Sequence, residues 1–260
     1  MSTGQLSAEA VEYLEKKRVT YLLEELFHDV LRHLPENPLE FLLNALDNKT
    51  TLQLIIVGPP GSGKQTQARR IAKKYGAVHV RAQDLFLREV ANKTPEGEII
   101  ERCMAEGEEV PTHITSELVI RRLKEEDVVK RGWVLEGFPQ TRSQALRLQT
   151  AGLPPLLFIV LDVDSEMSVK RCMGRQYDPI TQNIYHADYL PPPVGMQVER
   201  LSPEDGSRAA VASGWKYFDA RRDELVECYE PFYVRIEGSR TFEEVFTEIC
   251  EQVDSRFASV

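Results

Sequence analysis

Val57-Gly58-Pro59-Pro60-Gly61-Ser62-Gly63-Lys64-Gln65-Thr66 is the stretch that decides the fold. It follows a short apolar run, Leu52-Gln53-Leu54-Ile55-Ile56-Val57, and leads into Thr66-Gln67-Ala68-Arg69-Arg70-Ile71-Ala72, which reads as a helix. A strand, a glycine loop, a lysine and a helix start together make a phosphate-binding loop. Gly58, Gly61 and Gly63 let backbone N–H groups turn inward, and with Ser62, Gln65 and Thr66 at the positive helix end they cradle phosphate oxygens. Lys64 adds a point charge near the outer phosphates. The strict pattern has Ser or Thr directly after the lysine; here Gln65 intervenes before Thr66. An ordinary Gly-Pro turn is the plainer alternative, and the flanking strand and helix argue against it.

Outward from this loop, strands and helices alternate, which predicts a P-loop α/β fold with a parallel sheet between two helical layers. Strands are expected at 52–57, 77–81, 132–135, 156–162 and 232–236. Helices are expected to begin near Thr66, Gln83, Thr112, Thr141 and Ser165, with a last helix over 241–257. Ligands in such folds sit at the carboxyl ends of the strands, where both the loop and Glu136-Gly137-Phe138-Pro139 fall.

The first fifty residues have a different character. Residues 1–8 read as a flexible leader. Over 9–46, Leu22, Leu23, Leu26, Phe27, Val30, Leu31 and Leu34 recur at three- and four-residue spacing, a helical apolar stripe. Pro35-Glu36-Asn37-Pro38 breaks it, and a second short helix carries Phe41, Leu42, Leu43 and Leu46. The expected organisation is a small helix–turn–helix segment at 9–46 ahead of a larger domain at 52–260.

Composition bounds the function. The 260 residues carry 32 Lys and Arg against 41 Asp and Glu, a net charge of −9, which argues against binding a nucleic-acid polymer. Four dispersed cysteines, with no CxxC pair, predict free thiols in a reducing compartment. No apolar run approaches the length of a membrane span, and the start lacks the apolar region of a secretory signal. A cytoplasmic location is expected.

VGPPGSGKQTQA resembles the opening of the adenylate kinase (nucleoside monophosphate kinase) family, and five further segments resemble that family in the same order. They are Tyr75-Gly76-Ala77-Val78-His79-Val80; Gly107-Glu108-Glu109-Val110-Pro111; Gly132 to Pro139 with Gln144; Val169 to Arg175; and Asp178-Pro179-Ile180-Thr181 with Tyr185-His186, similar to a lid hairpin at about 176–200. The resemblance implies transfer of the terminal phosphoryl group of ATP, with Mg²⁺, to AMP or a related monophosphate. Phosphoryl transfer is mostly positioning plus charge stabilisation, which suits a site rich in arginine. By this resemblance Lys64 and the loop amides hold ATP phosphates, and Arg171 lies against the adenine. Arg175 and Arg200 clamp the moving phosphoryl group. Gln144 pairs with the base of the monophosphate, and Gly137 and Val110 border it. Glu136, where the family usually has Asp, organises Mg²⁺ through water. Plainer alternatives stay open for each: Arg171 and Arg175 as a solvated basic edge, Arg200 as a surface residue, Glu136 as a capping acid, Gln144 on an exposed helix. For His186, a lid hydrogen bond is preferred to a zinc site, because the lid has no partner cysteines.

The chain also departs from the family pattern. A Thr-Gly pair and a following arginine are replaced by Ala82, Gln83 and Leu87, with Arg88 one residue late. The arginine expected after Gly-Phe-Pro is Gln140, with Arg142 two residues on. A later arginine position falls near Gly214. Arg88 and Arg142 are the candidate replacements on the monophosphate side, although one residue of shift turns a helical side chain by about 100°. Reduced activity is expected, and the competing reading is a weak or inactive nucleotide-binding kinase fold with a scaffolding role. The set Pro139 to Ala145, D-P-x-T-x-x-x-Y-H and R-L-x-x-P-E-D is similar to the family's cilium-associated isoform eight. The 9–46 segment resembles the dimerisation/docking helices of protein kinase A type II regulatory subunits. That resemblance implies a homodimer whose groove takes an amphipathic anchoring helix, in a cilium or flagellum axoneme; packing of the segment on the chain's own kinase domain is the alternative.

Overall fold

The computed structural model describes residues 7, 13–14, 19, 23, 26–27, 30–31, 34–47, 51–180, 184–186, 188–189, 191–200 and 207–257. In chain order the elements are α1 (Pro38–Asp47), β1 (Gln53–Val57), α2 (Lys64–Tyr75), β2 (Val78–Arg81), α3 (Ala82–Ala91) and α4 (Pro95–Glu106). Then come α5 (Thr112–Leu123), α6 (Glu126–Arg131), β3 (Trp133–Glu136), α7 (Arg142–Thr150), β4 (Leu157–Asp162) and α8 (Ser165–Met173). The chain ends through β5 (Arg175–Tyr177), β6 (Ile184–His186), β7 (Glu199–Arg200), α9 (Arg208–Cys228), β8 (Tyr233–Glu237) and α10 (Phe242–Phe257).

Five parallel strands in the order β2-β3-β1-β4-β8 form the main sheet, flanked by helices. The central β1 is apolar because both its faces are covered: Leu54, Ile55 and Ile56 have no exposed surface. Its neighbours β3 and β4 leave toward opposite edges, so the end of β1 is the topological switch point where ligands bind. Each expected strand is present within a residue of its predicted limits. Gly132 falls outside β3 because its left-handed φ of 77° turns the chain between α6 and the strand.

Three helices were not expected. For α4 the signal was present: Thr94 caps it by accepting the Gly97 N–H at 3.0 Å, and Pro95 opens it. The short α6 has one buried residue, Val128. The 21-residue α9 buries Val211 and Leu225, too few for a strong apolar period. A satellite core of Ile100, Ile114 and Leu118, with Leu85, Phe86, Val90, Ile99 and Val110 against it, ties α3, α4 and α5 together. Between α8 and α9 an antiparallel sheet, β6-β5-β7, is inserted.

Residues 51–253 are one compact unit, and residues 1–50 with 254–260 another. In the second unit each described residue from 13 to 31 is helical. Leu34 adopts a left-handed φ of 43°, and α1 starts at Pro38, where Asn37 Oδ1 accepts the Glu40 N–H at 3.2 Å and the Asn37 side-chain amide donates to Glu40 Oε2 at 3.1 Å. The leader expected at 1–8 and residues 201–206 lie outside the described residues, Ser7 apart.

Candidate active site

The phosphate loop joins β1 to α2. Gly63 takes a φ of 88° at the head of α2, and a Cβ there would meet nothing within 4 Å, so the space over the helix start is open. Lys64 keeps some surface at the loop mouth while protein surrounds its ammonium, which donates to Pro59 O at 3.1 Å. Burial pushes this ammonium down to about 8, with the Glu136 carboxylate opposing the shift and Arg175 and Arg81 adding to it. Lys64, Glu136, Arg175 and Arg81 therefore share one electrostatic neighbourhood.

Glu136 is buried at the carboxyl end of β3. Its Oε2 lies 3.1 Å from His79 Nε2 and 3.6 Å from Arg81 Nε. Both partners come from β2, where Arg81 is the register partner of Glu136. It is thus held in an ion-pair cluster at a strand end rather than capping a helix. Among the described residues no group of three or more His, Cys, Asp or Glu gathers to hold a metal. One buried carboxylate still fits Mg²⁺, which keeps waters and is held through one or two carboxylates plus substrate phosphates.

Gln144 is buried in the first turn of α7, not exposed; its Oε1 accepts the Gln140 N–H at 2.7 Å. Gln140 in turn donates its amide to Gly137 O at 3.1 Å. A Cβ on Gly137 would meet only Lys64 Cε, at 3.9 Å, so the space beside it is bounded by the lysine. Arg171, at the end of α8, donates to the carbonyls of Gly238, Ser239 and Arg240 at 2.6, 3.3 and 3.3 Å. The Tyr189 ring stands over its guanidinium at 5.0 Å, and Tyr189 Oη donates to Met167 Sδ at 3.2 Å. The ring and the anchored planar cation form a cation–π pair.

Arg175 starts β5, beside the site; Arg200 is in β7 opposite Gln176, its side chain outside the described residues. His186 Nδ1 accepts the Asp188 N–H at 3.1 Å. Arg88 and Leu87 are exposed on α3. Arg142 is half exposed and reaches toward Glu227 of α9 at 3.4 Å. The structure does not bring Arg88 or Arg142 to the Lys64–Glu136 cluster. His79, Arg81 and Tyr189 are the residues sequence reasoning passed over. Arg81 was legible as a cation closing the second strand, at the end where ligands sit.

A phosphate loop at the end of the central strand, with its lysine beside a buried carboxylate and a small inserted sheet opposite, defines a P-loop phosphotransferase. The family profile described as Adenylate kinase matches residues 56–234. The chain is 37% identical over 205 residues to a protein named probable adenylate kinase 2, chloroplastic, of Oryza sativa subsp. japonica, covering 78% of this chain and 71% of that one. It is 32% identical over 204 residues to an adenylate kinase of Trypanosoma brucei rhodesiense, covering 78% and 98%. It is 30% identical over 254 residues to adenylate kinase 8 of Homo sapiens, covering 96% of this chain and 52% of that protein. The chain belongs to the adenylate kinase family and is a nucleoside monophosphate kinase. It spans about half the length of adenylate kinase 8.

Proposed function

We propose that the chain transfers the terminal phosphoryl group of ATP reversibly to AMP, giving two molecules of ADP. An AMP phosphate oxygen forms the new bond to the terminal phosphorus, the bond to the bridging oxygen breaks, and the electron pair leaves on ADP. The observation that carries this reading is the Lys64 ammonium on the phosphate loop, in the field of Glu136 and Arg175. Lys64 and the amides of Gly58 to Thr66 hold the triphosphate. Arg171 stacks on the adenine, and Arg175 and Arg200 follow the moving group. Gln144 reads the monophosphate base beside Gly137 and Val110. Mg²⁺, brought with the nucleotide and oriented by Glu136 through water, supplies charge neutralisation on the phosphates. Formation of ADP by wild-type protein but not by Lys64→Ala tests this.

Turnover is reduced in this proposal, because Leu87, Gln140 and Gly214 stand where the family pattern has arginines. The same three positions favour the second reading, a nucleotide-binding fold with a scaffolding role. ATP binding without turnover, seen by calorimetry, would select it.

Residues 9–46 form a docking segment ahead of the kinase domain at 52–260, whose lid spans about 176–200. The segment pairs two copies and takes an amphipathic anchoring helix, placing the kinase in the cytoplasm at a cilium or flagellum. Two observations support it. Leu23, Phe27 and Leu31 are each more than half exposed, on an apolar face. The match to adenylate kinase 8 reaches 96% of the chain, against 78% for the plant and trypanosome proteins, and so takes in this segment. No helix among the described residues is long and apolar enough to cross a membrane.

A further inference from the structure

Gln140 and Leu87 carry no charge to set against a phosphate, so the monophosphate side of the cleft calls for another cation. Arg88 is exposed on α3, and Arg142 reaches out to Glu227. Arg81 is the arginine that stands at the Lys64–Glu136 end of the sheet. It closes β2, level with Glu136 at the end of β3, and its charge is felt by Lys64. Its Nε lies 3.6 Å from Glu136 Oε2, an ion pair longer than a hydrogen bond. His79 already supplies Glu136 with a partner at 3.1 Å. The two outer nitrogens of Arg81 meet Asp84 Oδ1 at 3.3 Å and Gln83 Oε1 at 2.5 Å. Both of those side chains are exposed and follow Arg81 directly in the first turn of α3, so an incoming anion displaces them without opening the core. Glu136 steadies one edge of the guanidinium, and the fork that matches a phosphate stays on the accessible edge.

We propose that Arg81 binds the phosphate of the nucleoside monophosphate, the task the family pattern gives to arginines at positions 87 and 140. This rests on the kinase reading above. It makes Arg81 a substrate-binding residue for the accepting phosphate, and makes Glu136 a link between the two phosphate sites.

Isothermal calorimetry with AMP, adenosine and ATP on wild-type protein and on Arg81→Met, Arg88→Ala and Arg142→Ala tests it. Loss of a charge-assisted fork weakens binding about ten- to a hundredfold. Arg81→Met is expected to lose AMP affinity by that factor, while adenosine and ATP change by less than about threefold. A structural role would not separate AMP from adenosine, because only AMP carries the phosphate. Arg81→Lys keeps the charge beside Glu136 and guards against a folding failure; it is expected to recover part of the AMP affinity. AMP binding within threefold of wild type in Arg81→Met overturns the proposal, as does an equal loss of adenosine. A loss confined to Arg88→Ala or Arg142→Ala overturns it too. If wild-type protein still forms ADP in any of these cases, the kinase reading stands and this inference alone falls. Wild-type protein that neither binds AMP nor forms ADP sinks both.

Discussion

Gly214 of α9 lies against Pro60 of the phosphate loop: a Cβ at residue 214 would stand 2.9 Å from Pro60 Cγ. Pro60 O also accepts the Ser168 hydroxyl of α8 at 2.6 Å, so the loop is gripped from two helices. The position where spacing puts a further arginine is therefore a packing position. Gly214→Arg is expected to bring no gain in turnover and to lower stability, and Gly214→Ala to cost about 1–3 kcal/mol through overpacking. Urea melts with ADP-formation assays check this. A Gly214→Arg variant with higher turnover would contradict it.

The lysine of the loop sets a pH dependence. Lys64 titrates at about 8 in the folded protein, against its ordinary value of about 10.5, because it is buried. The unfolded chain then binds more protons over that window, so this group makes stability rise with pH from about 8 to 10.5. Lys64→Met removes that rise. Triphosphate favours the charged ammonium, so ATP affinity falls as pH passes 8 and binding there takes up a proton. Calorimetry in buffers of different ionisation heat measures the uptake; none at pH 9 would contradict the assignment.

The proposed adenine end separates two roles. Arg171→Ala removes three bonds to the carbonyls of Gly238, Ser239 and Arg240. It should therefore lower both thermal stability and ATP affinity. Tyr189→Ala removes the ring over the guanidinium and the bond to Met167 Sδ but leaves the carbonyl bonds of Arg171, and should weaken ATP by several-fold with AMP binding unchanged. Equal effects of Tyr189→Ala on ATP and AMP would rule out a stacking place at this point.

The fold was legible because the strand, glycine loop and helix of residues 52–72 leave little freedom, and because buried parallel strands read as apolar runs. What escaped notice was less periodic. α9 buries few residues, and α4 is announced by Thr94 and Pro95 rather than by an apolar stripe. In the site, Lys64, Glu136 and Gln144 stood in motifs. Arg81 and His79 did not: their meaning comes from the β2–β3 register, which puts them beside Glu136. Tyr189 likewise meets Arg171 only once the turn after β6 is folded. Spacing arguments singled out Arg88 and Arg142; Arg88 is exposed on α3 and Arg142 reaches toward Glu227.

The proposed docking role of residues 9–46 predicts assembly. The 260-residue chain is expected to be dimeric by light scattering at micromolar concentration, and a version starting at Thr50 monomeric. Two monomers would remove the docking role and leave the segment as a cover.

The coupled assay of ADP formation from ATP, Mg²⁺ and AMP tests the central claim most directly. Wild-type protein should form ADP at a rate that Lys64→Ala lowers by at least about a hundredfold, as loss of about 3 kcal/mol of transition-state stabilisation requires. Equal rates for the two proteins would contradict the claim that this phosphate loop transfers phosphoryl groups.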